Sequence, residues 1–152
     1  MSQTAEAIPI VEVLPAQSWS GRPADRVRLD YDGRRRRRMV LTGVSGERYR
    51  LDLPQTAHLR DGDGLQLADG RLVEVEALQE PLLEVRAASP EALLRLAWHL
   101  GNRHLDAAIS GARILIRRDH VIAHMLEHLG AQVTEVETVF DPEGGAYHEH
   151  AH

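Results

Sequence analysis

The residues with the most chemistry to offer are nine histidines, in a chain of 152 residues that contains no cysteine. Without thiols there are no disulfides, iron–sulfur clusters, thiolate zinc sites or thiol catalysis, so a bound metal must be held by nitrogen and oxygen. Imidazole suits nickel, copper and zinc alike. His148, His150 and His152 alternate with Glu149 and Ala151 at the end of the sequence. In an extended chain alternate residues share a side, so two or three of these imidazoles can meet one ion. His120, His124 and His128 recur every fourth residue, which draws them into one stripe along a helix. His99 and His104 are five residues apart and so do not share a helix face.

Nucleophile, phosphate-loop and metalloprotease motifs are missing: there is no H-E-x-x-H, no G-x-S-x-G, no Walker loop and no G-x-G-x-x-G after a strand. The DGDG sequence at 61–64 begins like a calcium loop, but its twelfth position is Leu72 where a glutamate is required. It reads as a turn. The sequence therefore points to a binding protein and not to an enzyme.

The elements that must position these histidines divide near Glu80-Pro81. Before that point short alternating strands are expected at 8–14, 26–31, 38–41, 49–53, 64–67 and 72–77, separated by Asp-Gly and Gly-rich turns and without an amphipathic helix. After it come a strand at 82–87 and a helix opened by Ser89-Pro90-Glu91 and closed by Gly101-Asn102. Two strands about Ser110-Gly111, a helix capped by Asp119 and stopped by Gly130, and a strand at 132–139 follow. Strand, helix, strand, strand, helix, strand is the ferredoxin-like order. The expected fold is α+β: a small all-β domain at 1–79, a ferredoxin-like (βαββαβ) domain at 80–140, and a flexible histidine-containing tail at 141–152.

Apolar residues are 43% and charged residues 27% of the chain, as in soluble domains. No stretch approaches the ~18–20 apolar residues of a membrane span, and the N-terminus lacks the basic and apolar regions of a signal peptide. A cytoplasmic protein without membrane attachment is expected. Net charge is −5. The run Arg34, Arg35, Arg36, Arg37 and Arg38 is the one basic cluster, with no aromatic residue interleaved to stack bases. It reads as a charged hairpin edge that resists edge-to-edge pairing, and no nucleic-acid partner is expected.

Three segments in order, WHLGNRH at 98–104, RDHVI at 118–122 and FDPEGGAY at 140–147, together with LRDGDG at 59–64, resemble the UreE family of urease accessory proteins. The resemblance covers about 60–147. It implies a β-domain joined to a ferredoxin-like domain through which the chain forms a homodimer, with Ni²⁺ carried as cargo for urease assembly. It further implies that His104 is the nickel ligand at the dimer interface, paired with its symmetry mate. His120 is a secondary ligand, and His148, His150 and His152 are tail ligands. Zn²⁺ or Cu²⁺ can occupy the same donors. Some members carry a histidine where this chain has Arg118, which cannot ligate. The partners implied are the urease accessory GTPase and the complex of urease apoprotein with its accessory proteins. His99 reads as a half-buried, hydrogen-bonded residue near the helix end, and His124 and His128 as a solvated face, opposite an apolar set of Val121, Ile122, Met125, Leu126 and Leu129. The competing reading is a ferredoxin-like RNA- or protein-binding adaptor that uses the arginine run.

Overall fold

The computed structural model describes residues 6–143. These divide into two compact units between Leu78 and Gln79. The boundary precedes the expected one because the first strand of the second unit already begins at Gln79.

The first unit contains strands β1 (Ile8–Leu14), β2 (Asp25–Leu29), β3 (Arg35–Thr42), β4 (Arg48–His58), β5 (Gly64–Leu67) and β6 (Leu72–Ala77), with one helical turn, α1 (Tyr31–Arg34), between β2 and β3. The sheet order is β2-β6-β5-β1-β4-β3. Alternation in β4 and β6 buries Tyr49, Leu51, Val73 and Val75 against Ile10, Val27, Leu41 and Leu65, as period-two patterning requires. Pairing in this sheet is mixed: β1 pairs β4 and β2 pairs β6 in parallel, while β3–β4, β1–β5 and β5–β6 are antiparallel.

The arginine run is not one uniform edge. Arg34 closes the helical turn, is fully buried, lies 5.9 Å from the centre of the Tyr31 ring and donates to the Leu59 carbonyl at 3.4 Å. Asp30, capping the turn by accepting from the Gly33 N–H, is what converts the expected Asp-Gly turn into helix. Arg36 and Arg37 donate to the carbonyls of Asp32 and Leu53, and Arg38 pairs with Asp52 at 3.0 Å.

The second unit contains β7 (Gln79–Arg86), α2 (Pro90–Asn102), β8 (Ala108–Ser110), β9 (Arg113–Arg117), α3 (His120–His128) and β10 (Gln132–Val139). Its antiparallel sheet runs β10-β7-β9-β8. Leu83, Val85, Ile114 and Ile116 from one face of the sheet pack with Leu96, Leu100 and Leu126 from the helices. Two expectations are corrected. Gly101 and Asn102 lie inside α2, not at its stop. Residues 141–143, expected to belong to the tail, are held against the unit: Pro142 is buried after the buried Phe140, and the Glu143 N–H donates to the Ala107 carbonyl at 2.8 Å while its carboxylate accepts from the Ile109 N–H. Residues 144–152 lie outside the described residues. Among the described residues no helix is long and apolar enough to cross a membrane.

A polar knot ties the first unit together. The Asp25 carboxylate accepts from Ser45 Oγ at 2.5 Å and from Tyr49 Oη at 2.6 Å. Burial opposes ionisation of Asp25, but bonds from Ser45, Tyr49 and the N–H groups of Arg26 and Ser45 outweigh it and hold the carboxyl below its usual range. Tyr49, desolvated and bonded to that carboxylate, is pushed up to about 12. Gly43 makes room, since a Cβ there would fall 1.9 Å from an Asp25 oxygen. A depressed folded-state pKa gives stability that is present above the ordinary carboxylate range and is lost as pH falls through the lowered value. Asp25→Asn should therefore lower stability at neutral pH by about 1–2 kcal/mol and flatten the acid side of the stability profile. Urea unfolding from neutral to acid pH measures both.

Candidate metal centre

Helix α2 starts where its sequence dictates. Ser89 caps it by accepting from the Ala92 N–H at 3.1 Å, Pro90 supplies a preset φ at the first helical position, and Glu91 pairs with Arg95 one turn on at 2.8 Å. Leu96 and Leu100 face the core. The end of the helix sets the site. The Leu105 N–H returns to the Leu100 carbonyl at 3.2 Å, and the His104 N–H to the Gly101 carbonyl at 3.0 Å. This pair of bonds is the Schellman closure, whose penultimate residue must be left-handed. That residue is His104, with φ of 58°, the one non-glycine with positive φ among the described residues.

Helix α3 shows what the same closure ordinarily selects. There Ala131 returns to Leu126 and Gly130 to Glu127, and the left-handed position is Gly130, at φ 92°. Glycine enters that region at no steric cost, whereas a Cβ costs roughly 1–2 kcal/mol. The Cβ at residue 104 is therefore held against a steric cost that Gly130 avoids.

His104 is exposed and lines a cavity of about 280 Å³ with Asp106, Ile116, Arg117, Arg118 and Asp119. Asp106 stands 4.0 Å from the Arg117 guanidinium, so this carboxylate is partly neutralised within the cavity. Asp119 caps α3 by accepting from Val121 and Ile122. Arg118, the position that cannot ligate, staples two strands by donating to the carbonyls of Leu82 and Val136.

His120 opens α3 and is exposed. It faces a different cavity, of about 540 Å³, shared with His124, Glu127 and Glu135. The structure thus does not bring His104 and His120 into one cavity. Among the described residues no three His, Asp or Glu side chains gather closely enough to hold one ion. His148, His150 and His152 lie outside the described residues. His99 is half-buried, with its ring 5.2 Å edge-on from Trp98.

Two surface features were not legible in the residue pattern. Leu94 and Trp98, four residues apart on α2, are 70% and 65% exposed. Of the apolar set assigned to the buried side of α3, Val121 and Leu129 are also exposed. The helical wheel assigns Val121 and Leu129 to an apolar side without specifying whether a neighbour within the chain covers it.

The family model described as the UreE urease accessory protein N-terminal domain matches residues 10–78, and that of the C-terminal domain matches residues 80–152. The chain is 56% identical over 140 residues to the urease accessory protein UreE of Bradyrhizobium sp. (strain BTAi1), covering 92% of this chain and 68% of that one. It is 56% identical over 129 residues to the protein of that name from Rhodopseudomonas palustris (strain HaA2), covering 85% and 60%. With that from Chelativorans sp. (strain BNC1) it shares 55% over 131 residues, covering 86% and 83%.

The strain at residue 104 is testable without metal. His104→Gly should raise stability by about 0.5–1 kcal/mol by relieving the left-handed Cβ, while Gly130→Ala should lower it by about 1 kcal/mol. Chelator-treated protein unfolded in urea gives both values, and a loss on His104→Gly would show that residue 104 is not strained.

Proposed function

This chain belongs to the UreE family of urease accessory proteins, and from that membership we propose that it is a nickel metallochaperone: a non-enzymatic, cytoplasmic homodimer that binds Ni²⁺ reversibly and passes it to the urease assembly machinery. The observation that carries the reading is His104, an exposed imidazole fixed in a left-handed backbone at the rim of a cavity. One such ligand per chain is too few for Ni²⁺, which prefers several N/O donors, and a two-fold axis doubles it. The succession β7-α2-β8-β9-α3-β10 with sheet order β10-β7-β9-β8 supports a ferredoxin-like metal-binding and dimerisation domain. The exposed Leu94, Trp98 and Val121 give it apolar surface for a second copy.

The tail ligands fit the same scheme by reach. Glu143 is bonded to Ala107, three residues from His104, and His148 follows five residues later. Five residues span at most about 17 Å, so a terminal imidazole can supplement the site. Open coordination of this kind allows release, where a closed four-ligand cage would hold too tightly. Zn²⁺ and Cu²⁺ bind the same donors, and delivery of nickel then depends on supply and on the partners, an accessory GTPase and the complex of urease apoprotein with its accessory proteins.

The adaptor alternative has less to stand on. Arg34 is buried, and Arg36, Arg37 and Arg38 already face oxygen acceptors. RNA binding at ~150 mM salt should be weaker than micromolar, since few free cations give a weak and salt-sensitive contact. Filter binding tests this, and micromolar retention would promote the adaptor.

Titration with Ni²⁺ alongside sizing tests the metal reading. One tight ion per dimer is expected, weakening from pH 8 to pH 6 because protonated imidazole does not ligate. His104→Ala should remove the tight site and leave a folded dimer. Truncation after Tyr147 should reduce capacity and weaken the site without abolishing it, because tail ligands must be ordered on binding. Wild-type affinity in His104→Ala together with loss on truncation would make the tail the carrier.

A further inference from the structure

Helix α3 presents imidazoles that the His104 site does not use. His120, His124 and His128 are all exposed, and none of their side chains makes a hydrogen bond, ion pair or ring contact among the described residues. His120 and His124 are four residues apart in a regular helix, where Cβ atoms stand about 5–6 Å from one another. Both open on the cavity of about 540 Å³, which Glu127 from the same helix and Glu135 from β10 also line. His128 does not line it. The helix is held at both ends, by the Asp119 cap and by the closure at Gly130, so the two imidazoles are carried on a fixed frame.

We infer that His120 and His124 form a two-point chelate for a divalent transition-metal ion, distinct from the His104 site. The cavity gives His124 a use that the residue spacing alone did not. Two imidazole nitrogens at i and i+4 can each come within the ~2.0–2.1 Å that an ion requires, and in the cavity lining Asp119, Glu127 and Glu135 outnumber the one cation, Arg118, which is turned to the Leu82 and Val136 carbonyls. Water completes the coordination, since no third histidine or carboxylate among the described residues gathers with them. Holding both ligands on one rigid helix turns the second contact into an intramolecular one, which strengthens binding by about a hundredfold over either imidazole alone. The result is an open, rapidly exchanging site, present in every chain whether or not two chains associate.

The test uses the full chain carrying His104→Ala and alanine at 148, 150 and 152, with Cu²⁺ as the probe because it binds most tightly of the first-row divalent ions. Calorimetry should find one Cu²⁺ per chain, and its electron paramagnetic resonance spectrum should show two coordinated nitrogens. His120→Gln and His124→Gln should each weaken binding at least tenfold and leave one nitrogen, and His128→Gln should change neither readout. Loss of a nitrogen on His128→Gln, or two nitrogens surviving His124→Gln, would overturn the assignment. In the otherwise wild-type chain His124→Gln should leave the tight Ni²⁺ site untouched, so failure of the chelate and failure of the His104 site give different patterns.

Discussion

The carbonyl of Leu100 is the constraint from which the site follows. Leu100 is fully buried in the core of the second unit, so the last turn of α2 cannot shift, and its carbonyls must find donors. The Leu100 carbonyl already accepts from the Arg103 N–H, and the closure adds the Leu105 N–H to it and the His104 N–H to Gly101; two such bonds, about 0.5–1.5 kcal/mol each, offset the roughly 1–2 kcal/mol of a left-handed residue with a Cβ. The closure through Leu105 and His104 therefore wins, and residue 104 takes the strain. The consequence is positional: the side chain at 104 leaves the helix axis beside the stretch 105–107, onto which Glu143 folds back.

Charged residues around this helix end are largely occupied with structure. Arg118 joins β7 to β10 through two carbonyls. Glu84 collects Arg113 and Arg86, whose hydrogen bonds hold its carboxyl below the usual range. In the first unit Arg26 and Arg28 stand directly opposite Glu74 and Glu76 in the parallel β2–β6 register. Such exposed pairs add under about 1 kcal/mol each, and they act more on register than on stability. The side chains of His120, His124 and His128 on α3 carry no such duties among the described residues.

Strand limits were legible wherever one face meets a core. β1 at Ile8–Leu14, β5 at Gly64–Leu67, β6 at Leu72–Ala77 and β10 at Gln132–Val139 fall where alternation and Asp-Gly turns set them, because a slip by one residue would turn the apolar set outward. Arg34 shows the limit of that reasoning. Its burial depends on the Tyr31 ring and on a carbonyl 25 residues further along the chain, and local pattern contains neither. Val121 and Leu129 fail for the converse reason, since an apolar residue is buried only if something lies over it.

Residue types and spacing alone determined that any metal here meets nitrogen and oxygen, that the motif histidine stands just past a helix, and that the chain alternates elements as an α+β protein does. Those conclusions need only the inventory of donors and the period of the apolar pattern. Tertiary structure decided how the donors group: His104 at a strained helix end, His120 with His124 in a separate cavity, and Arg118 drawn off to pin two strands. Helix period alone set His120 beside His124, but the separation of that pair from His104, the approach of Glu135 on β10 and the bonds of Arg118 involve residues remote in sequence, whose distances are fixed only when Leu100 and Leu126 are buried together against one sheet.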